Sequence, residues 1–295
     1  MNLTNIFNEK TVFSLEVFPP HSAKETNNLI DSFKGVNSIK PDFISITSGA
    51  GGSQNDISLE LAKQFQNDLG ITTIPHITGL YRSKADVITF LNELGSNGIQ
   101  NVLALRGDQI PDKKPVGDFK RASELVKFIK KHGKFNIAGA CYPQKHPESI
   151  NFVDDILHLK EKVNQGVSYL ITQTLFDNQA FYDFRERLQF AQVDVPIEVG
   201  IMPCTNLNQI KKITELSGNP MPKKFVDIMD HFRNNQEAMR DAGINYAIEQ
   251  IVDLLSNNAD GIHLYTMNNA ENVQQIWDAT HTLFAETSNH PTERV

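Results

Sequence analysis

The sequence predicts an α/β fold, a (β/α)8 TIM barrel with extra helices, as a single domain over residues 1–295. Three observations carry this. Eight short runs rich in Val and Ile are bounded by Gly, Pro or Asp, as strands buried on both faces of a parallel sheet should be. Amphipathic helical patterns alternate with these runs from end to end. The first run stops at Pro19-Pro20, which cannot form the Gly-rich phosphate cradle that follows the first strand of many open doubly wound sheets. A barrel of this kind takes about 250 residues, so the chain leaves room for additional helices.

The predicted strands are residues 11–18, 42–47, 72–78, 101–105, 135–142, 168–173, 195–202 and 260–266. Helical spacing places Val87, Ile88, Leu91 and Leu94 on one apolar face between strands three and four. Phe152, Ile156, Leu159 and Val163 do the same after strand five, and Ile244, Ile248, Ile251 and Leu255 before strand eight. Residues 217–235, with Gly218, Pro220 and Pro222, add a helix between strands seven and eight. Residues 288–295 read as a flexible tail.

Composition excludes several classes. Net charge is −7 and the pI is near 5.7, so no polyanion-binding surface and no nucleic-acid partner are expected. The two cysteines, Cys141 and Cys204, are too few and too far apart for a disulfide framework or a zinc ribbon, and suit a reducing, cytoplasmic setting. The first residues lack the basic stretch and apolar core of a signal peptide, and no run approaches 18 apolar residues, so no membrane span is expected. No local ligand spacing such as H-E-x-x-H occurs, and no metal is expected. There is no G-x-S-x-G, and Cys141 lies inside an apolar strand without an evident base.

Polar residues gather where the predicted strands end. Glu16 ends strand one, and Thr47 ends strand two before the Gly-rich stretch 48–52. His76 and Thr78 end strand three, and Arg106-Gly107-Asp108 follows strand four. Tyr142 and His146 follow strand five, Gln173 ends strand six, and Tyr265, Thr266 and Asn268 close strand eight. Barrels of this class build their active sites on that rim. Glu16 stands among Phe13, Leu15, Val17 and Phe18, where lost hydration would raise its pKa and keep it protonated as a general acid. The other reading is a Glu pointing to solvent from an edge strand. Asp155, His158 and Lys162 share one helix face, either as an ordinary solvated stripe or as contacts to a nucleotide.

Eight segments, one per predicted strand, resemble the methylenetetrahydrofolate reductases. They are Ser14-Leu15-Glu16-Val17-Phe18-Pro19-Pro20, Ile44-Ser45-Ile46-Thr47, Pro75-His76-Ile77-Thr78 and Ala104-Leu105-Arg106-Gly107-Asp108. They continue with Ala140-Cys141-Tyr142-Pro143 leading to His146-Pro147-Glu148, then Ile171-Thr172-Gln173, Gly200-Ile201-Met202-Pro203, and His263-Leu264-Tyr265-Thr266-Met267-Asn268. The family is a (β/α)8 barrel that holds FAD. The resemblance implies reduction of 5,10-methylenetetrahydrofolate to 5-methyltetrahydrofolate with NADH or NADPH, by a ping-pong mechanism on one flavin, supplying methyl groups for methionine synthesis.

It also implies roles. Glu16 is the general acid, and Asp108 is the aspartate beside flavin and pterin. FAD contacts fall on Thr47, Ser48, Ala50, His76, Arg106, Gly107, Asp108, Ala122, Tyr142, His146, Asp155, His158 and Lys162. Substrate contacts fall on Glu16, Thr47, Asp108, Gln173 and Gln209. The chain departs from the pattern at Ser48, His158, Glu161, Ile213 and Asn269, which bears on the folate tail and the nicotinamide rather than on the chemical step. A homo-oligomer, such as a tetramer, is expected by the same resemblance. The alternative reading is another FAD-dependent barrel oxidoreductase of the proline-dehydrogenase type, which would not need a strand-one Glu before Pro-Pro.

Overall fold

The computed structural model describes residues 3–20, 22–35, 39–48, 55–206 and 221–289. Its strands are β1 (Val12–Val17), β2 (Phe43–Ile46), β3 (Thr73–Thr78), β4 (Asn101–Leu105), β5 (Asn136–Cys141), β6 (Tyr169–Thr172), β7 (Ile197–Ile201) and β8 (Gly261–Tyr265). They close in sequence order into one barrel in which every paired neighbour is parallel and β8 returns to β1. Each strand lies within its predicted run. The residues trimmed from the runs include Thr47, Tyr142, Gln173, Met202 and Thr266, all at strand exits, where the chain leaves the ladder to form the rim.

The described helices are α1 (Leu3–Ile6), α2 (Ala23–Gly35), α3 (Asn55–Asp68), α4 (Lys84–Ser96), α5 (Ala122–His132), α6 (Phe152–Asn164), α7 (Asn178–Phe190), α8 (Lys223–His231), α9 (Gln236–Ser256) and α10 (Ala270–Asn289). Their starts follow from the sequence. Ser83 and Asp86 form a reciprocal capping box before α4, and Asn151, Asp177 and Asn235 cap α6, α7 and α9. The helix expected within 217–235 is α8, with Pro222 at its N-cap, where a missing N–H is harmless. Ile88, assigned to the buried face of α4, is instead 37% exposed, because Phe90 fills that face with Val87, Leu91 and Leu94. The predicted tail begins inside α10 at 288–289, and residues 290–295 lie outside the described residues. No described helix is long and apolar enough to cross a membrane.

Strand alternation sorts the side chains into two layers. Leu15, Val17, Ile44, Ile46, Val102, Ile262 and Leu264 point outward and pack under the helices. Val12, Phe43, Ile74, Leu103, Ala138, Tyr169 and Ile171 fill the lumen. Leu3 and Ile6 of α1, with Phe7, pack onto that inner cluster and stopper the floor of the barrel. Four residues carry too little periodicity to announce a helix, so α1 was not foreseen.

Candidate active site

Two confluent clefts, each of about 310 Å³, open on the side of the strand exits. The first is the barrel mouth, lined among others by Glu16, Ser48, His76, Gly107, Asp108 and Gln173. The second runs outward over β4 and β5 to the start of α5 and one face of α6, where it meets Ala122, Asp155, His158 and Lys162. Arg106, Tyr142 and His146 line both clefts and so mark their junction. Most residues singled out in the sequence therefore meet in one continuous site. Thr47 does not line either cleft; its N–H is tied to Val17 O and its carbonyl accepts the Ser58 hydroxyl. Ala50, Gln209 and Ile213 lie outside the described residues.

Glu16 does not sit in the apolar nest its sequence neighbours suggest. Phe13, Leu15 and Val17 belong to the outer layer, and alternation turns Glu16 the other way, into the lumen, where it is 7% exposed. Its Oε2 accepts from Ser45 Oγ at 3.3 Å and lies 3.5 Å from His76 Nε2 and 3.6 Å from His263 Nε2. Burial pushes its pKa up, but the hydrogen bond with His263, the electrostatic influence of the His76 and His263 imidazoles and the Ser45 hydrogen bond outweigh it, so the net shift is downward. The expectation of a pKa raised by apolar packing is thus corrected: the polar groups that closure of the barrel brings to Glu16 turn the shift downward. His76, expected as a flavin contact, faces this cluster, with Nε2 also 3.2 Å from Ser45 Oγ. Burial drives its pKa down to about 4 against the pull of Glu16, so the ring is neutral near pH 7.

The strand-eight turn holds Glu16 in place. Thr266 Oγ1 donates to Glu16 O at 2.7 Å. The Asn268 side chain clamps Phe18 from both sides, accepting from its N–H and donating to its carbonyl at 2.9 Å each. These two residues shape the Pro-Pro exit of β1. Tyr265 lies over the lumen and donates to Thr172 O at 2.9 Å, in space that Gly200 leaves open; a Cβ on Gly200 would sit 2.7 Å from the Tyr265 ring.

The second cleft is lined by several charged and polar side chains, among them Arg106, Asp155, His158 and Lys162. Asp155 is buried and accepts from Ser149 Oγ at 2.8 Å, and Lys162 reaches in beside it, its ammonium donating to Ala140 O. The open alternative for this helix face, a solvated charge stripe, is therefore wrong for Asp155 and Lys162. His158 remains near the outer edge, 3.8 Å from Asp154. Arg106 is held as a fork by both carboxylate oxygens of Glu148, one bond measuring 2.7 Å. Glu148 was not foreseen as its partner. Gly107 follows at φ +88, and a Cβ there would meet Thr78 Cβ at 3.1 Å, so glycine lets the backbone turn closely beneath the mouth. Gln173 is exposed at the rim, and its Oε1 accepts the Thr174 N–H. Cys141 is buried in β5 and its thiol is pushed up to about 12 by burial, consistent with a core residue and not a nucleophile.

Three lumen residues carry no role in the sequence reading: Ser45 and His263, which lie beside Glu16, and Glu198, which pairs with Ser14. The available signal was parity. Ser45 pairs with Glu16 across β1–β2, and His263 pairs with Ser14 across β1–β8, so both share the inward face of Glu16.

Comparison with known proteins yields consistent matches. A family model described as "Methylenetetrahydrofolate reductase" matches residues 2–281. The 5,10-methylenetetrahydrofolate reductase of Escherichia coli (strain K12) is 33% identical over 258 residues, covering 88% of this chain and 86% of that protein. The "Probable methylenetetrahydrofolate reductase (NADH)" of Oryza sativa subsp. japonica is 34% identical over 274 residues, 88% of this chain but 46% of the plant protein. Among solved structures, an uncharacterized Clostridium thermocellum protein that binds two copies of 5-methyl-5,6,7,8-tetrahydrofolic acid superposes with a TM-score of 0.63 at 13% identity, covering 97% of this chain and 100% of that one. At that identity the likeness shows the fold alone.

Proposed function

Since the chain belongs to the methylenetetrahydrofolate reductase family, we propose that it reduces 5,10-methylenetetrahydrofolate to 5-methyltetrahydrofolate with NADH, using FAD as a resident cofactor. The observation that carries this reading is the position of Glu16: a buried carboxyl group that lines the same cleft as Asp108 and Gln173. NADH is preferred to NADPH in this proposal because the plant relatives carry NADH in their names.

The site fits FAD on its own chemistry. A long, two-part ligand matches two confluent clefts. Arg106 at their junction suits phosphate oxygens, with Glu148 yielding one or both of its hydrogen bonds. Asp155 can accept from ribose hydroxyls, and Lys162 can approach a pyrophosphate, in the outer cleft. The close turn at Gly107 leaves the mouth free for a flat ring system. When bound, FAD would take two electrons from the nucleotide and pass them on as hydride, so that nucleotide and folate use one place in turn.

The residues of the chain supply proton chemistry and charge. A ligand filling the mouth would complete the desolvation of Glu16, which acts to raise its pKa. Glu16 thereby takes up a proton as the folate binds and delivers it to a ring nitrogen of the substrate, opening the five-membered ring to an electrophilic iminium carbon. His76, neutral, and Ser45 hold the carboxyl oriented through this change. Asp108 at the rim places negative charge where that cation develops. Gln173 offers donor and acceptor to the pterin edge.

The test is direct. The purified protein should be yellow, bleach with NADH in the absence of oxygen, and recover its colour on addition of methylenetetrahydrofolate. A colourless protein that binds no added FAD would defeat the proposal. Recovery with proline-derived substrates, and not with the folate, would transfer it to the other barrel oxidoreductases. Asp108→Asn should raise the reduction potential of the bound flavin by roughly 30 mV, about 1.4 kcal/mol for a two-electron couple, because a neutral amide no longer opposes negative charge on the reduced ring. Potentiometry with a reference dye measures this; an unchanged potential would place Asp108 away from the ring.

A further inference from the structure

Below the mouth lies a carboxyl group that this chemistry does not use. Glu198, in the middle of β7, is fully buried, and its Oε1 lies 2.6 Å from Ser14 Oγ. The same hydroxyl lies 2.6 Å from Nδ1 of His263, which is also fully buried. On the far side of that ring, Nε2 faces Ser45 Oγ at 3.5 Å and Glu16 Oε2 at 3.6 Å. Side chains from β7, β1, β8 and β2 thus connect the interior of the barrel to the acid at its mouth.

We propose that Glu198 is a positioning residue for the reaction: a neutral carboxylic acid that donates to Ser14, so that Ser14 donates to Nδ1 of His263 and the imidazole presents Nε2–H to Glu16. Charge is the first argument. Among the described residues no cation acts on Glu198. The groups that face it are Ser14 and His263 from β1 and β8, Tyr169 from β6, and the carboxylates Asp42 and Asp260 from the ends of the chain segments entering β2 and β8. Asp42 is already paired with Lys10 and accepts the Phe13 N–H, and Asp260 accepts the Ile197 N–H. Burial pushes the Glu198 pKa well above the ordinary carboxylate range, Asp42 and Asp260 add to this, and Ser14 offsets it only in part.

Proton counting is the second argument. Glu198 Oε2 has no hydrogen-bond partner among the described residues. A proton on Oε2 would be a buried donor without an acceptor, whereas on Oε1 it bonds to Ser14 Oγ; a lone acceptor is the cheaper orphan. Ser14 has one hydrogen, which then goes to Nδ1, and the imidazole N–H is left on Nε2. Every donor in the chain is used. An ionised Glu198 would reverse each bond, so that Ser14 donates to it, Nδ1–H donates to Ser14, and a bare Nε2 is turned to Glu16.

The role of Glu16 as the acid is taken from the proposed function; the tautomer of His263 is independent of it. The experiment has two arms on the flavin-loaded protein. In the first, infrared difference spectra between wild type and Glu198→Gln should show a protonated-carboxyl C=O band in the wild type. Nitrogen NMR of protein carrying 15N-histidine should show His263 bare at Nδ1 and protonated at Nε2. In the second, the pH profile of the folate half-reaction is followed by flavin reoxidation. Glu198→Gln, whose amide N–H replaces the acid O–H, should keep the wild-type profile. Glu198→Met removes the donor, frees the ring to move its hydrogen to Nδ1, and turns a bare Nε2 to Glu16; the alkaline limb should then move up by about one pH unit. Should Glu198→Met fail to fold, Ser14→Ala cuts the same link. A carboxylate at position 198, a His263 protonated at Nδ1 in the wild type, or a donor-deleted variant (Glu198→Met, or Ser14→Ala in its place) with the wild-type profile would each overturn the proposal. Failure of the functional reading would show separately, as no folate turnover in a wild type whose spectra are as expected.

Discussion

Glu16→Gln is expected to keep FAD bound and to be reduced by NADH within a few-fold of the wild-type rate, while transfer to methylenetetrahydrofolate falls by at least about 10²-fold, the usual scale for a lost general acid. Glutamine preserves the volume of the side chain and its acceptor for the Ser45 hydroxyl, so the site should stay assembled. What it lacks is a proton to give. In the proposed mechanism the nucleotide half-reaction would move a hydride and ask nothing of this group, which is why the two halves should separate. Anaerobic stopped-flow of each half measures the effect. An equal fall in both would mean that Glu16 shapes the pocket and does not act on the folate.

Gly243→Ala should destabilise the fold by at least about 3 kcal/mol, at the upper end of overpacking costs, with a melting temperature lowered by roughly 5 °C or more. Gly243 lies inside α9, where alanine ordinarily stabilises a helix by about 0.8–1 kcal/mol, so the expected sign is the reverse of the local rule. The reason is tertiary. A Cβ at this position would stand 1.8 Å from Cys204 O and 2.8 Å from Cys204 C, both backbone atoms of the segment leaving β7. Neither can yield without moving the rim or the helix. Gly95→Ala in α4, where nothing lies within 4 Å of the added carbon, is the control and should be neutral or stabilising. Thermal unfolding of the three proteins decides the matter; a Gly243→Ala variant as stable as the wild type would show that α9 does not sit this close to the β7 exit.

The two variants mark where sequence reasoning succeeds and where it stops. Glu16 was legible because an acidic residue in an apolar strand, ahead of Pro-Pro, breaks a pattern that is otherwise regular. Asp155 and Lys162 were legible as a shared helix face but not as a buried one, since spacing gives the face and only packing says what covers it. Gly243 carried no signal, because one glycine in a helical pattern reads as a small local penalty. Glu198 was overlooked inside Ile197-Glu198-Val199-Gly200-Ile201, a run that reads as an apolar strand with one polar exception.

By itself the sequence determined the order and kind of the elements, the side of the barrel on which the chemistry-bearing residues collect, and the place of one acidic residue, Glu16, near the end of the first strand, because these follow from periodicity, turn residues and strand ends, all local properties. Only the tertiary structure decided the surroundings of that acid. Closing the barrel brings Ser45, His76 and His263 from three other strands against Glu16 and so reverses the sign of its pKa shift, since the field at a buried carboxyl is set by groups that the chain places far apart in sequence.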